Sequence, residues 1–237
     1  HLTSKGTFMS QTAAHNVAFI FDCDGTLVNS TPVWSYAQPE LLRRHGVDVT
    51  PEDFADFGPL SLEDECQAYH DLWGVKEEGP ELYEELCSIL LEGYSKVAPI
   101  AGLLPFLQQA QDAGITMCVA TSTTAHLVQA ALDGSGVAPY MDFITTTGEA
   151  GRSKHFPDIY ELALRRLEER RGHAFDTAWV FEDAAFGLKS SGTAGFKRVG
   201  IYDPLGHTDR DDVRDNCEIF IDSYEELSLD RILEFEG

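Results

Sequence analysis

The chain reads as an α/β protein, a doubly wound parallel sheet with a helical segment inserted near its start. Three observations predict this. Short apolar runs of strand character alternate with helix-like segments along most of the chain. The runs are short and apolar in character, as strands covered on both faces should be. Residues 32–97 break the alternation, with amphipathic stretches and no strand-like run.

The first run, "VAFIF" at 17–21, is followed at once by Asp22 and Asp24 and then by Gly25 and Thr26. Two carboxylates that close raise each other's ionisation cost, so the pair is unfavourable unless a cation or a reaction uses it. The insert follows, with helical stretches "VWSYAQPELLRRHG", "LEDECQAYHDLWG" and "PELYEELCSILLEGY". Pro and small residues at Asn29–Pro32 and Lys96–Gly102 read as paired hinges. They divide the chain into a core of 14–31 and 98–237 and a cap of 32–97. Of Trp34, Tyr36, Phe54, Phe57, Tyr69 and Trp73, most should belong to the cap's own small core, with one or two near the hinges or the "FGPLSL" loop facing a ligand.

Beyond the insert come strand-like runs at 115–120 ("ITMCVA"), 142–147 ("DFITTT"), 178–183 ("AWVFED"), 196–201 ("FKRVGI") and 218–221 ("EIFI"). Helical stretches fill the gaps at 103–114, 124–136, 157–172 and 186–195, bounded by Pro157 at one start and by Gly114 and Gly172 at two ends. Thr123 or Thr124 is the expected N-cap of the stretch "AHLVQAAL".

Composition narrows the function classes. At 237 residues the chain can bury roughly 70–75% of its unfolded surface, enough for a proper core. A net charge of −23, from 40 acidic and 17 basic residues, repels nucleic acid and anionic lipid. No apolar run approaches the ~20 residues of a membrane helix. The five cysteines (Cys23, Cys66, Cys87, Cys118, Cys217) are odd in number and never spaced as CxxC, which fits reduced thiols. Residues 1–13 start with His, lack the pattern of a secretory signal, and contain Met9 as a candidate native start. A cytoplasmic monomer with neither nucleic-acid nor membrane partners is expected.

In a parallel doubly wound sheet, ligands sit outside the carboxyl ends of the strands. The residues just after each run are therefore the candidates: Asp22 and Asp24, Thr121 and Ser122, Glu182 and Asp183, and Lys154 in the loop "GEAGRSKHFPD". Carboxylates suit a hard cation such as Mg²⁺, which also takes phosphate oxygens. An Asp carboxylate braced by the cation and by Lys154 can attack phosphorus, and Asp24, two residues on, can pass a proton to the leaving alcohol and then activate water. Thr121 and the Ser122 amide can donate to the transferring group.

With these motifs, "DCDGTL", "VATS", "KHFPD" and "VFEDAAFG" in order, the sequence resembles the haloacid dehalogenase superfamily of phosphohydrolases. The resemblance is to the branch of β-phosphoglucomutase and small-metabolite phosphatases with a helical cap, and spans about 17–222. It implies a Rossmann-like core, Asp22 as nucleophile and metal ligand, and Asp24 as general acid/base that offers its backbone carbonyl to the metal. It further implies Thr121, Ser122 and Lys154 on phosphate, Asp183 as metal ligand, and Glu182 as ligand or supporting carboxylate. The carboxylate at Asp24 points to a phosphate ester rather than a halide or phosphonate. Three departures leave every catalytic group in place: His155 where proline is usual, Ala184 where serine is common, and Asn29 where aspartate is common. Mutases of the branch carry an arginine in the cap that holds a second phosphate, where this chain has Leu62. The insert carries fifteen acidic residues against Arg43, Arg44, Lys76 and Lys96. A Mg²⁺-dependent phosphatase of a small phosphorylated metabolite is thus expected ahead of a phosphomutase, and both ahead of a catalytically silent binding module.

Overall fold

The computed structural model describes residues 16–236. The reading of residues 1–13, with Met9 as a start, lies outside them. Six parallel strands form one sheet: β1 (Val17–Phe21), β2 (Thr116–Thr121), β3 (Ile144–Thr146), β4 (Thr177–Glu182), β5 (Lys197–Ile201) and β6 (Ile219–Ile221), in the order β3-β2-β1-β4-β5-β6. β1 lies at the centre, with Phe21 beside Val119 of β2 and Phe181 of β4.

The uninterrupted apolar run of β1 follows from cover on both faces. Phe19 and Phe21 of β1 face one way, where they meet Phe106 and Phe181; the Phe21 and Phe181 rings stack at 4.2 Å between centroids. Ala18 and Ile20 face the other way, against Ile159, Tyr160, Ala163 and Leu167. Each fully buried Phe or Ile contributes roughly 1.5–3 kcal/mol relative to exposure. The third predicted strand is shorter than the run "DFITTT". Thr146 caps a one-turn helix at Thr147–Ala150, accepting from the Glu149 amide at 3.2 Å while Glu149 accepts from the Thr146 amide at 2.9 Å. This reciprocal capping converts the end of a β-prone threonine run into a turn of helix.

The insert after β1 holds three helices, α1 (Thr31–Arg44), α2 (Leu62–Trp73) and α3 (Gly79–Tyr94), with a 3₁₀ segment at Pro51–Phe57. They pack on one another and contribute no strand to the sheet. Ser61 starts α2 by accepting from the Asp64 amide at 3.1 Å. Phe54, Phe57, Tyr69 and Trp73 make the expected aromatic core, Tyr69 lying 5.6 Å from Phe54 and 5.5 Å from Trp73. Tyr36, by contrast, is exposed and joins no core. The two connections pair where hinges were expected, as the Asn29 amide donates to Ala98 at 2.9 Å and the Ile100 amide to Leu27 at 2.9 Å.

The remaining helices are α4 (Leu103–Asp112), α5 (Ala125–Ser135), α6 (Thr147–Ala150), α7 (Asp158–Arg171), α8 (Ala185–Thr193), α9 (Arg210–Asp215) and α10 (Leu229–Leu233). Among the described residues no helix is long and apolar enough to cross a membrane.

Candidate active site

The strand order places β1 between β2 and β4, so the loops leaving these three strands share one crevice at the carboxyl edge. Asp22 leaves β1 still in the sheet, its amide donating to Phe181 at 2.9 Å. The chain then turns through Gly25, at φ 77°, a conformation that costs a side-chain-bearing residue strain. A Cβ there would stand 2.4 Å from Asp183 Oδ2, so the glycine also admits the Asp183 carboxylate.

Lys154 reaches this edge from the loop after α6. It is buried, and burying an ammonium is costly unless carboxylates surround it. Its Nζ donates to Asp22 Oδ1 and to Glu182 Oε1, each at 2.5 Å. The Tyr160 hydroxyl donates to the same Glu182 oxygen at 2.8 Å, and the Ser190 hydroxyl holds the Lys154 carbonyl at 2.6 Å. Burial works against the lysine's charge, but Asp22 and Glu182 outweigh it and hold the ammonium above its ordinary range. Burial, and next the Glu182 carboxylate, push the Asp22 carboxyl up to about 8. Burial, then Asp22 and Glu182, push Asp183 well above its ordinary value.

Asp22, Glu182 and Asp183 each offer an oxygen within 4.8 Å of the others. Fully ionised, as a bound cation requires, the three carboxylates against one ammonium would leave two negative charges uncompensated in a shielded place. An all-oxygen donor set with that deficit fits a hard divalent cation such as Mg²⁺ rather than a metal that prefers nitrogen or sulfur. Glu182 has both oxygens engaged, Oε1 as above and Oε2 by the Ala184 amide at 3.3 Å. It therefore supports the centre more than it offers free lone pairs.

Asp24 is turned away from this cluster toward the insert. Its Oδ1 accepts from the Ser30 hydroxyl at 2.5 Å, from the Trp34 indole N–H at 3.0 Å and from the Tyr94 hydroxyl. Its Oδ2 accepts from the Thr123 hydroxyl at 2.7 Å. None of these four donors was assigned to Asp24 from sequence. The expectation that Thr123 or Thr124 caps α5 needs correction. Thr124 stands at the N-cap position but makes no side-chain cap bond, accepting instead from the Tyr83 hydroxyl at 3.1 Å, while Thr123 serves Asp24.

Thr121 is fully buried behind the cavity wall, its Oγ1 accepting from the Thr123 amide at 3.0 Å, which leaves its own O–H free to donate. Ser122 Oγ is buried with no partner among the described residues, and Ser122 lines the cavity. Cys23 turns into the core as expected; burial raises its thiol well above the ordinary value and leaves it no nucleophilic role.

Asp22, Asp24, Ser122, Lys154, Glu182 and Asp183 all open onto one cavity of about 820 Å³, roofed by Trp34, Gln38, Phe54 and Glu65 of the insert. Fold and site together define a phosphohydrolase. The chain belongs to the haloacid dehalogenase-like hydrolase family, whose model matches residues 19–201.

It is 28% identical to validoxylamine A 7'-phosphate phosphatase of Streptomyces hygroscopicus subsp. limoneus over 77% of this chain and 84% of that one. It is 24% identical to hexitol phosphatase B of Escherichia coli (strain K12) over 81% and 86%. Among solved structures, CbbY from Rhodobacter sphaeroides in complex with phosphate superposes with a TM-score of 0.76 at 22% identity, covering 89% of this chain and 96% of that one. β-Phosphoglucomutase from Clostridium difficile superposes with a TM-score of 0.75 at 18% identity, covering 92% and 95%.

Proposed function

We propose that the protein is a Mg²⁺-dependent phosphatase that hydrolyses a small phosphorylated metabolite through an aspartyl-phosphate on Asp22. One observation carries this reading. Asp22, buried and braced by Lys154 at 2.5 Å, shares a shielded cavity with Asp24, and the two carboxylates have different partners. The first belongs to the cationic cluster and the second to a cage of neutral donors, which is how one site separates a nucleophile from a proton carrier.

In the first step an oxygen of the Asp22 carboxylate attacks phosphorus, the bond from phosphorus to the leaving oxygen breaks, and Asp24 gives that oxygen its proton. In the second, Asp24 takes a proton from water as the water oxygen attacks the phosphorus, which frees inorganic phosphate and restores Asp22. Lys154 carries positive charge to the phosphoryl oxygens, and the Thr121 hydroxyl and the Ser122 amide donate to them. Asp22, Asp183 and the Asp24 carbonyl would hold Mg²⁺, with Glu182 in support; the cation supplies charge neutralisation for the transferring group.

The named relatives act on phosphorylated small molecules, which supports the substrate class. A phosphomutase is the second reading, motivated by the β-phosphoglucomutase resemblance. Against it, Leu62 stands in the cavity wall and, among the described residues, no arginine lines the cavity to hold a second phosphate. A silent binding module would not need Asp22, Asp24, Lys154 and Asp183 all intact. Four of the five cysteines are buried free thiols, consistent with a reducing cytoplasm, and we treat the protein as a monomer. The test is phosphate release from p-nitrophenyl phosphate and a panel of sugar and polyol phosphates, with and without Mg²⁺. Release that needs Mg²⁺ and falls by about 10⁴-fold or more in Asp22→Asn is expected; turnover retained by that variant contradicts the mechanism.

A further inference from the structure

We infer that Glu65 and Gln38, side by side on the insert's wall of the cavity, form a subsite that reads hydroxyl groups on the leaving group, so that the substrate is a polyhydroxylated monophosphate with no second phosphate. The phosphoryl end of this substrate rests on the phosphatase reading above; the hydroxyl-reading end rests on residues that the reaction does not use.

Gln38 on α1 and Glu65 in the first turn of α2 are both buried, 8% and 5% exposed, in a helical layer otherwise packed with Leu and aromatic side chains. Burying a carboxylate there is unfavourable for stability, since an apolar residue of equal volume would pack without the desolvation cost. The pair is nonetheless held in one orientation. Gln38 Nε2 donates to Glu65 Oε1 at 2.5 Å and lies 3.3 Å from the Tyr69 hydroxyl, which donates to the same Glu65 oxygen. Ionised, Glu65 only accepts, so the Gln38 amide turns its nitrogen toward it. Among the described residues, Glu65 Oε2 and Gln38 Oε1 then receive no protein donor, and both residues line the cavity. Tyr69, fully buried behind them, locks the arrangement.

Two adjacent acceptors on a fixed wall match two O–H donors. They do not match a second phosphate, which brings acceptors and like charge. Among the described residues the cavity lining holds two ammonium groups, Lys154, committed to Asp22 and Glu182, and Lys189, paired with Asp212 at 3.0 Å, together with the imidazoles of His155 and His207, against the carboxylates of Asp24, Asp183 and Asp209. Beside the acceptors, the Trp34 and Phe54 rings offer apolar faces to a carbon skeleton.

Binding separates this inference from the reaction. Dissociation constants for sorbitol 6-phosphate, methyl phosphate and fructose 1,6-bisphosphate are measured by calorimetry with Mg²⁺ on the Asp22→Asn protein, alone and with Glu65→Leu or Gln38→Leu. Sorbitol 6-phosphate should bind at least about tenfold more tightly than methyl phosphate, and either substitution should shrink that ratio by about tenfold, as loss of a hydroxyl-reading group does. The two substitutions lie on different helices, so the ratio can be read even where one variant does not fold. Equal affinity for the two monophosphates, a ratio that survives both substitutions, or tighter binding of the bisphosphate would overturn the subsite. A collapsing ratio in a protein whose Asp22 form releases no phosphate from any compound would uphold the subsite and overturn the phosphatase reading.

Discussion

Trp34 donates its indole N–H to Asp24 Oδ1 at 3.0 Å, a bond from the first helix of the insert to the carboxylate just past the first strand of the core. Tyr94, from the last helix of the insert, donates to the same oxygen, and Thr123, from the core, donates to the other at 2.7 Å. The seating of the insert and the orientation of Asp24 are therefore set by one group of bonds. Charge-assisted bonds of this kind contribute about 1.5–3 kcal/mol each when both partners are shielded.

Asp24→Asn should leave the Asp22 centre assembled and remove proton transfer. An alkoxide leaves badly without a proton, whereas p-nitrophenolate leaves unprotonated. The first step should thus fall by about 10²–10⁴-fold for an alkyl phosphate and much less for p-nitrophenyl phosphate. The second step needs the base for both. Acid-quenched variant treated with p-nitrophenyl phosphate should accordingly carry a phosphoryl group on Asp22, visible by mass spectrometry. Equal losses on both substrates with no trapped phosphoenzyme would remove Asp24 from its assigned role.

Metal binding should be tied to proton release. Burial and the Glu182 carboxylate push the Asp22 carboxyl up to about 8, so in the metal-free protein at neutral pH it is largely protonated. A divalent cation requires the ionised form and must displace that proton. Raised from 3.8, this group stabilises the metal-free fold fully below 3.8 and loses that contribution as pH rises through about 8. Mg²⁺ affinity runs the other way, tightening up to about 8 and levelling above it. Calorimetry in two buffers of different ionisation enthalpy measures the proton count. The rise in Tm on adding Mg²⁺ should be larger at pH 8 than at pH 6; no proton release and no pH trend would contradict the shared site.

The sheet and the charged centre were legible because both depend on short-range pattern and topology. Asp22, Lys154 and Asp183 each follow a recognisable run, and parallel winding alone brings strand ends to one edge. Ser30, Trp34, Tyr94 and Thr123 were not legible as partners of Asp24. Their bonds cross up to 99 residues, and which hydroxyl or indole meets Asp24 depends on how the insert sits, which no local period encodes. Thr123 carried a misleading local signal, since threonine before a helix ordinarily reads as a cap. The shortened third strand is the opposite case: Thr146 and Glu149 already stand at capping-box spacing, and the β-branched run masked it.

Glu65→Gln should stabilise the protein in a pH-dependent way. Burial raises the Glu65 carboxyl from 4.5 to about 7, against the pull of its bonds from Tyr69 and Gln38. Because the folded value is the higher one, stability from this group is fully present below 4.5 and is lost as pH rises through about 7. The loss amounts to about 3 kcal/mol on the alkaline side. Glutamine keeps an acceptor for Tyr69 and Gln38 and cannot ionise. The variant should match the parent near pH 5 and unfold at a higher urea concentration at pH 8. Equal midpoints at both values would mean that Glu65 ionises at no cost.

Gly25→Ala separates backbone strain from damage to the metal centre. At φ 77° any Cβ is strained, which costs roughly 1–2 kcal/mol. At this position the Cβ would also stand 2.4 Å from Asp183 Oδ2 and 3.2 Å from Asp203 Oδ2, so the Asp183 carboxylate must move. Gly172, at φ 74° with nothing within 4 Å of its would-be Cβ, has the same strain and no neighbour. Gly172→Ala should therefore lower stability by the strain alone and leave Mg²⁺ affinity as it was. Gly25→Ala should lower stability by more and weaken Mg²⁺ binding by about tenfold or more, the loss that follows when a metal ligand is displaced. Urea unfolding and Mg²⁺ calorimetry on the two variants side by side measure both effects. If the two alanines weaken Mg²⁺ binding equally, Asp183 is not a ligand, and the two negative charges of the cluster must be balanced by another route.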